Sequence, residues 1–301
     1  MVEAGVDVQF AVRALKGLAE PTRLRLLALL GHGELTVGEV CRVLGQSQPR
    51  VSRHLRLLTE AGFLDRFREH QCVYYRTPAT GARSQWVHEL LAAIDPEDPA
   101  LRRDRVRLSN VIGDRGRAAA GELATALPGD TEDAGLGLLL REVLGPVAVG
   151  GLLDIGTGTG RMIEILGPLA THAVGIDLSA PALRLARARV HGRGFAHCEF
   201  HRGDMYALPF EAGAFDTVTV AHVLAGAERP AEVLAEAART LRKSGRLLVV
   251  ERFDDIEACG GTNPLQSLRQ WLDRGGLQLA RLRPCDLASG HHLLALAHRA
   301  P

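Results

Sequence analysis

The sequence predicts a mixed architecture, with a mainly helical N-terminal domain that carries a β-hairpin wing and a larger C-terminal α/β domain. Apolar residues recur at helical spacing near the N-terminus, whereas strands alternate with helices from Gly150 onward. The chain has 301 residues, enough for one small domain and one of ordinary size. Because the acidic, proline-bearing segment at 95–99 is typical of a boundary, we expect a first domain over 1–95, a helical linker over 96–117 and a second domain over 118–301.

Composition and charge narrow the class of protein. The chain is 46% hydrophobic and 24% charged, and it has no apolar run near the ~20 residues of a membrane span. It also lacks the N-terminal pattern of a signal peptide, and its five cysteines are scattered, as in reduced proteins. We therefore expect a cytoplasmic protein with no membrane partner. The net charge is only +1, but residues 42–76 are rich in arginine and form a local basic surface.

Helix signals place three short helices before the hairpin. Pro21 and Thr22 mark a helix start, and Thr36 is expected to cap a second helix that runs to Leu44. Ser47 is expected to cap the third helix, in which a proline at the first turn is well tolerated. Two strands follow around a short turn, over residues 63–68 and 72–76.

The third helix has two different faces. Val51, Leu55 and Leu58 fall together and are expected to pack inward, while small polar and arginine side chains point outward. Such side chains suit the major groove of DNA, where serine and glutamine reach base edges and arginine contacts guanine or phosphate. The candidate DNA-binding residues, with two from the wing, are Ser47, Gln48, Pro49, Arg50, Ser52, Arg53, His54, Arg56, Arg68 and His70.

Three motifs in order resemble the ArsR-type winged helix-turn-helix regulators over the first 95 residues. They are LAEPTRLRLL at 18–27, QSQPRVSRHL at 46–55 and AGFL at 61–64. The resemblance implies that the helix beginning at Ser47 reads double-stranded operator DNA. It also implies a homodimer built on residues 8–18 and 86–94.

Acidic and glycine-rich motifs stand at successive strand ends in the second domain. They are LLDIGTGTGR at 152–161, VGID at 174–177 and GDM at 203–205, and FDTV at 215–218 opens the next strand. The first motif differs from a dinucleotide fingerprint, which would place glycine at Arg161. Because ligands of open α/β sheets bind at strand ends, these motifs predict one nucleotide-type site, with Asp177 positioned to accept both ribose hydroxyls.

This pattern resembles the class I S-adenosylmethionine-dependent methyltransferases, which have a Rossmann-like α/β fold. The resemblance implies binding of S-adenosylmethionine or S-adenosylhomocysteine: Asp154 and the glycines would line the methionine moiety, Asp177 the ribose, and Asp204 with Met205 the adenine. The candidate cofactor-binding residues are Asp154, Gly156, Thr157, Gly158, Gly160, Asp177, Leu178, Asp204, Met205, Ala221 and His222.

The combined architecture is similar to SahR-type regulators, which sense S-adenosylhomocysteine, although other chains with this architecture are methyltransferases. Three departures from those relatives favour a sensor over an enzyme. Residues 118–130 contain no aromatic residue, Ala225 replaces the second of a histidine pair that begins at His222, and residues 250–277 form a short segment. Catalytic residues stay unassigned, although Glu251, His222 and Tyr206 are available for chemistry.

A metal-responsive repressor with a vestigial second domain is a further alternative. Cys41 lacks the near partner that metal-sensing relatives carry on this helix, and His197, Glu199 and His201 fall on a predicted strand, where edge or core roles are commoner. We therefore assign no metal ligands. His291 and His292 are expected in a turn between the final strands. The helix over residues 101–117 is the candidate transmitter between DNA and ligand.

Overall fold

The computed structural model divides the chain into two compact units. The first comprises residues 1–119 together with 187–199, and the second comprises 120–186 and 200–301. The residues that the structure describes are 8–69, 72–78, 82–123, 130–145, 147–260, 263–287 and 289–300.

The first unit is a helical domain with a small antiparallel sheet. Strand β1 pairs with β3, and β3 pairs with β2 to form the predicted hairpin. Its elements are α1 (Val8–Leu18), α2 (Pro21–Leu30), β1 (Leu35–Thr36), α3 (Val37–Leu44), α4 (Gln48–Glu60), β2 (Asp65–Glu69), β3 (Cys72–Arg76), α5 (Ala82–Ala92) and α6 (Pro99–Leu123).

The start of α3 follows the sequence prediction, whereas the start of α4 differs from it. Thr36 accepts a hydrogen bond from the amide of Glu39, whose side chain bonds back to the Thr36 amide in a capping box. Ser47 occupies the N-cap position of α4 but makes no side-chain cap bond. The prediction that Ser47 caps α4 through its side chain is therefore wrong, which leaves its hydroxyl available for other contacts.

The first core is built from the apolar faces of these helices. Val51, Leu55 and Leu58 of α4 are completely buried, as predicted. Helix α6, which contains most of the predicted linker, adds Leu108 and Val111 to the same core. Its Asp104 also receives two hydrogen bonds from Arg25 of α2, both 2.7 Å long. The first part of α6 is thus integral to this unit, and the proposed boundaries at 95 and 117 stay predictions.

The second unit is built on a seven-stranded sheet accompanied by helices. The strands lie in the order β6-β5-β4-β7-β8-β10-β9. Strand β4 is parallel to β5 and β7, and β7 is parallel to β8, while β10 is antiparallel to both neighbours. Its strands are β4 (Gly150–Ile155), β5 (Ala170–Asp177), β6 (Cys198–Arg202), whose first two residues belong to the first unit, β7 (Phe215–Ala221), β8 (Leu241–Arg252), β9 (Leu277–Leu287) and β10 (Gly290–Arg299). Its helices are α7 (Asp130–Leu144), α8 (Arg161–Leu166), α9 (Ala180–Gly192), which continues into the first unit, α10 (Pro230–Thr240), α11 (Phe253–Gly260) and α12 (Pro264–Arg274).

The predicted strands match β4 to β8 except at their ends, and the mixed fold class is confirmed. The prediction of a turn at His291 and His292 is wrong, because both residues lie in β10 and His292 is 1% exposed. His292 pairs with Arg252 of β8 in the sheet, and this pairing fixes its position. Among the described residues, every helix is too short or too polar to cross a membrane.

Candidate functional site

The outward face of α4 forms an open, basic groove beside the wing. The groove has a volume of about 560 Å³, and its walls include Ser52 and Arg53 of α4 and Arg66 of β2. Pro49 and Arg56 also line it, and Arg56 lies 3.7 Å from Glu60 in an exposed pair. Serine and arginine at the start of an exposed helix can contact base edges and phosphates.

The other predicted DNA-binding residues lie in different surroundings. Gln48, Arg50 and Arg68 are exposed, as is Ser47. His54 instead faces α2, where its Nδ1 atom lies 3.8 Å from the carboxylate of Glu20. His70 lies outside the described residues.

The glycine-rich turn after β4 depends on backbone conformations that favour glycine. Gly156 has φ +68° and Gly158 has φ +52°. A Cβ on Gly156 would overlap the side chain of Val223, whereas one on Gly158 would meet only the Gly156 carbonyl oxygen, at 4.0 Å. Gly156 is therefore needed for packing, and Gly158 borders open space in which a ligand can approach the backbone.

Asp177 at the end of β5 is held by the same turn. The amide of Gly158 donates to its Oδ2 atom, and the amide of Ser179 donates to its Oδ1 atom, each at 2.8 Å. These two bonds fix the plane of the carboxylate. Each oxygen keeps acceptor capacity, so the group can receive hydrogen bonds from a vicinal diol such as that of ribose.

Asp154 at the end of β4 is a buried carboxylate with an open acceptor. It is 1% exposed, and the hydroxyl of Thr219 on β7 donates to its Oδ1 atom at 2.6 Å. Within the described part of the chain, its Oδ2 atom has no hydrogen-bond partner. Burial raises the pKa of Asp154 to about 6, although the side chains of Thr157 and Thr219 oppose the shift. A buried carboxylate of this kind favours a cationic ligand group such as an ammonium.

The remaining predicted cofactor residues lie at the ends of neighbouring strands. Asp204 follows β6 and is exposed, and its carboxylate accepts a hydrogen bond from the Tyr206 amide at 2.9 Å. Met205 packs against the core of the second unit, and Leu178 is 56% exposed beside Asp177. Thr157 and Gly160 belong to the glycine-rich turn, and Ala221 ends β7. The strand order thus brings the predicted residues to one edge of the sheet.

A histidine and a buried glutamate adjoin this edge after β7. His222 has φ +57°, unusual for a residue with a side chain. The amides of Val223 and Leu224 donate to Oε1 of Glu251, at 2.8 and 2.7 Å. Burial raises the pKa of Glu251 to about 7, although these backbone bonds oppose the shift. Glu251 therefore shapes the loop that packs against the glycine-rich turn.

His222 has a ring partner that the sequence did not indicate. Its ring lies edge-on to His292 of β10, with centroids 5.2 Å apart. Although part of His222 is exposed to solvent, the protein around its ring lowers its pKa to about 4, and nearby His292 and Arg161 add to the effect. Both this pair and the Asp154–Thr219 bond join residues distant in sequence, so only the sheet order reveals them.

Each unit contains a region that matches a known protein family. Residues 18–66 match the helix-turn-helix domain family, and residues 153–249 match a methyltransferase domain family. The chain therefore joins a helix-turn-helix domain to a methyltransferase domain. Both domains that the sequence predicted are confirmed. The first match supports DNA binding, and the second supports binding of S-adenosylmethionine.

Curated relatives resemble the methyltransferase domain. The ubiquinone/menaquinone biosynthesis C-methyltransferase UbiE of Ruegeria sp. is 37% identical over 105 residues, covering 33% of this chain and 41% of the relative. The demethylmenaquinone methyltransferase of Thermus thermophilus is 39% identical over 102 residues, covering 33% of this chain and 46% of the relative. The chain thus spans less than half the length of these relatives. A crystal structure of a SAM-dependent methyltransferase from Aquifex aeolicus is 17% identical, covers 53% of this chain and 88% of its own, and has a TM-score of 0.45.

The groups that the methyltransferase domain places at this edge of the sheet fit an S-adenosyl ligand. Asp154 offers an unpaired buried carboxylate oxygen for an ammonium group, Asp177 offers a fixed carboxylate for a diol, and Gly158 leaves room for close approach. Among the described residues, no group of three or more His, Cys, Asp or Glu side chains is arranged to hold a metal ion. Glu199 instead forms an ion pair with Arg76 at 2.5 Å.

Proposed function

We propose that this protein is a DNA-binding transcriptional regulator, a repressor, whose methyltransferase domain binds S-adenosylhomocysteine or S-adenosylmethionine as an effector. The observation that carries the proposal is that one chain has both an open basic groove on its helix-turn-helix and a row of carboxylates at strand ends that suits a nucleotide-like ligand. The cytoplasm is the proposed location, because DNA and the effector are both found there.

The DNA-binding half of the proposal rests on α4. Ser52 and Arg53 would reach base edges, and Arg50, Arg56 and the wing residues Arg66 and Arg68 would contact phosphates. A second copy of the chain would give a homodimer that recognises a two-fold operator. Exposed Val8, Val12 and Leu15 support this part, because their spacing along α1 leaves one apolar helix face uncovered.

The effector half rests on the strand ends of the second unit. Asp154 would hold the ammonium group of the ligand, Asp177 the ribose hydroxyls, and Asp204 with Met205 the adenine. Both S-adenosylmethionine and its demethylated product carry these groups, so these contacts bind either ligand. An effector regulates only if it binds the DNA-competent and DNA-incompetent states with different affinities.

A methyltransferase that carries a DNA-binding domain is the second candidate. The curated relatives are methyltransferases, and this observation favours it. When bound, S-adenosylmethionine supplies an electrophilic methyl group. His222, with a pKa of about 4, would be an uncharged acceptor of a proton, and Glu251 would hold the loop that carries it. Methyl transfer can also proceed by positioning alone.

Calorimetric titration with each ligand tests the proposal. We expect S-adenosylhomocysteine to bind the wild-type chain and Asp177→Ala to bind it at least tenfold more weakly. Glu228→Ala, which removes an exposed carboxylate of the second unit, is the matched control and should bind normally. The same proteins are then titrated with operator DNA selected from a random pool, with and without ligand.

Three outcomes would decide among the candidates. Ligand-dependent DNA affinity that Asp177→Ala abolishes supports the regulator. Binding of either ligand with no change in DNA affinity contradicts it and directs attention to a methyl acceptor. Stoichiometric zinc in the purified protein, with DNA binding that depends on the metal, would instead support the metal-responsive alternative.

A further inference from the structure

Residues 187–199 are built into the first unit, although they are distant from it in sequence. They comprise the last turns of α9, the connection that follows it and the first residues of β6. Arg187 is the largest side chain in the described chain with essentially no exposed surface. An arginine is rarely buried in this way unless it is paired.

The partners of Arg187 are two buried carboxylates of the first unit. Its Nε atom donates to Glu34 at 2.5 Å, and its Nη1 atom lies 2.8 Å from Glu69. Glu34 immediately precedes β1, and Glu69 ends the wing strand β2. The guanidinium also lies over the ring of Tyr74 in β3, 4.4 Å from its centroid. One side chain of α9 therefore contacts both wing strands.

Two more arginines extend this ion cluster through the unit. Arg76, at the end of β3, lies 3.1 Å from Glu34 and 2.5 Å from Glu199. Arg115 of α6 makes two bonds to Glu39, at 2.7 and 2.6 Å, and a third to the carbonyl of Glu34 at 3.1 Å. Because Glu39 closes the capping box of α3, the cluster also fixes the helix that precedes α4.

Buried charges that form ion pairs tolerate few alternative arrangements. Moving Arg187 out of the cluster would leave Glu34 and Glu69 buried with fewer cationic partners, which is strongly unfavourable. A small displacement of α9 is therefore expected to move the wing with it, since an ion pair in a low-dielectric interior does not stretch cheaply.

The N-terminal end of α9 begins three residues after Asp177. The Ser179 amide donates to the Asp177 carboxylate at 2.8 Å, and the Ser179 hydroxyl accepts a bond from the Ala182 amide at 3.3 Å in the first turn. From Ala180 to Arg187 the helix rises about 10 Å. Asp177 and Arg187 are therefore ten residues apart in the sequence, and most of the chain between them belongs to α9.

We propose that residues 187–199 act as a clamp on the DNA-binding unit, with Arg187 as its central positioning residue. Through α9, the clamp couples ligand contact at Asp177 to the position of the wing. The coupling to the ligand, which is the regulatory half of this proposal, rests on the proposed function. The holding of the wing by Arg187, which is the structural half, does not. The clamp adds α9 as a route of transmission beside the predicted one through α6, to which Arg115 belongs.

Hydrogen exchange of the wing amides, at residues 65–69 and 72–76, tests the structural half without ligand. The main variant combines Arg187→Met with Glu34→Gln and Glu69→Gln, so that no charge is left buried without its partner. Arg187→Lys keeps the charge but loses the fork of donors. Arg184→Met is the matched control, because Arg184 lies one turn earlier on α9 and pairs with Glu122 in the second unit.

We expect the wing amides to exchange at least tenfold faster in the triple variant, to an intermediate degree in Arg187→Lys, and at the wild-type rate in Arg184→Met. Wing exchange that is unchanged in the triple variant would overturn the clamp. So would an equal acceleration in Arg184→Met, since that result would mean that any disturbance of α9 has the same effect.

Adding S-adenosylhomocysteine tests the regulatory half. In the wild type we expect the ligand to change wing exchange at least threefold. The triple variant should bind the ligand within threefold of the wild-type Kd and lose this change. Protection near Asp177 without any change in the wing would overturn the coupling. Absence of binding by either S-adenosyl ligand would refute the proposed function, while the ligand-free comparison still decides the structural clamp.

Discussion

Two substitutions in the glycine-rich turn after β4, Gly156→Ala and Gly158→Ala, separate the energetic cost of backbone strain from that of steric crowding. Gly156 and Gly158 have φ angles of +68° and +52°, and a left-handed alanine costs about 1–2 kcal/mol at either position. Gly156→Ala adds a Cβ that overlaps Val223 Cγ2, whereas Gly158→Ala adds one whose nearest neighbour is 4.0 Å away. Overpacking typically costs about 1–3 kcal/mol more. We expect losses in the free energy of unfolding of about 2–5 kcal/mol for Gly156→Ala and about 1–2 kcal/mol for Gly158→Ala.

The chain's two tryptophans allow this difference to be measured in the second unit alone. Trp86 lies in the first unit, and Trp271 packs against the core of the second. In a Trp86→Phe background, Trp271 fluorescence during urea unfolding reports the stability of the methyltransferase domain. Gly158→Ala should also weaken S-adenosylhomocysteine binding at least tenfold, because its Cβ enters the open space at the turn. Equal stability losses in the two variants would refute the packing role of Gly156, and unchanged ligand affinity in Gly158→Ala would refute the ligand assignment.

Three further predictions concern charge in both units. Because burial raises the pKa of Asp154 to about 6, an ammonium group bound beside it should displace its proton. Ligand affinity should then rise with pH through 6, and calorimetry near that pH should show proton release that Asp154→Asn lacks; equal release by both proteins would contradict this. Arg53→Ala should weaken DNA binding by about 1–3 kcal/mol, with exposed Arg42→Ala of α3 as the control in an anisotropy titration. Equal losses in both would mean that α4 is not the reading helix. Burial tends to raise the pKa of Glu39, but Arg115 outweighs it and lowers this pKa below the ordinary value of 4.5. The pair therefore stabilises the fold fully above pH 4.5, and this stability is lost as the pH falls through the pKa of Glu39 in the folded protein. Glu39→Gln should destabilise the first unit by about 3–5 kcal/mol at pH 7 and reduce the acid dependence of Trp86-detected unfolding, and an unchanged acid dependence would argue against it.

Local patterns were sufficient for much of the fold. The spacing of Val51, Leu55 and Leu58 predicted the buried face of α4, and Thr36 predicted the start of α3, because both signals depend on residues within two helical turns. The motif residues after β4, β5 and β6 were also placed at one edge of the sheet, since parallel strands end together.

Contacts between distant residues could not be predicted in the same way. The Thr219–Asp154 bond depends on the register between β4 and β7, and the His222–His292 pair depends on β10 adding to the sheet beside β8. Arg187 lies in an arginine-rich helix whose sequence gives no sign that one of its cations is buried. His54 faces Glu20 although it lies in the reading motif, because α2 packs close to α4 at that point.

The most direct test of the central claim is the affinity of the full chain for its selected operator with and without saturating S-adenosylhomocysteine, at one fixed salt concentration. If the protein is a ligand-dependent regulator, the operator Kd changes at least fivefold, the lower end of typical allosteric coupling, and the Kd of Asp177→Ala does not change. An operator affinity that stays the same while calorimetry shows the site filled would contradict the account.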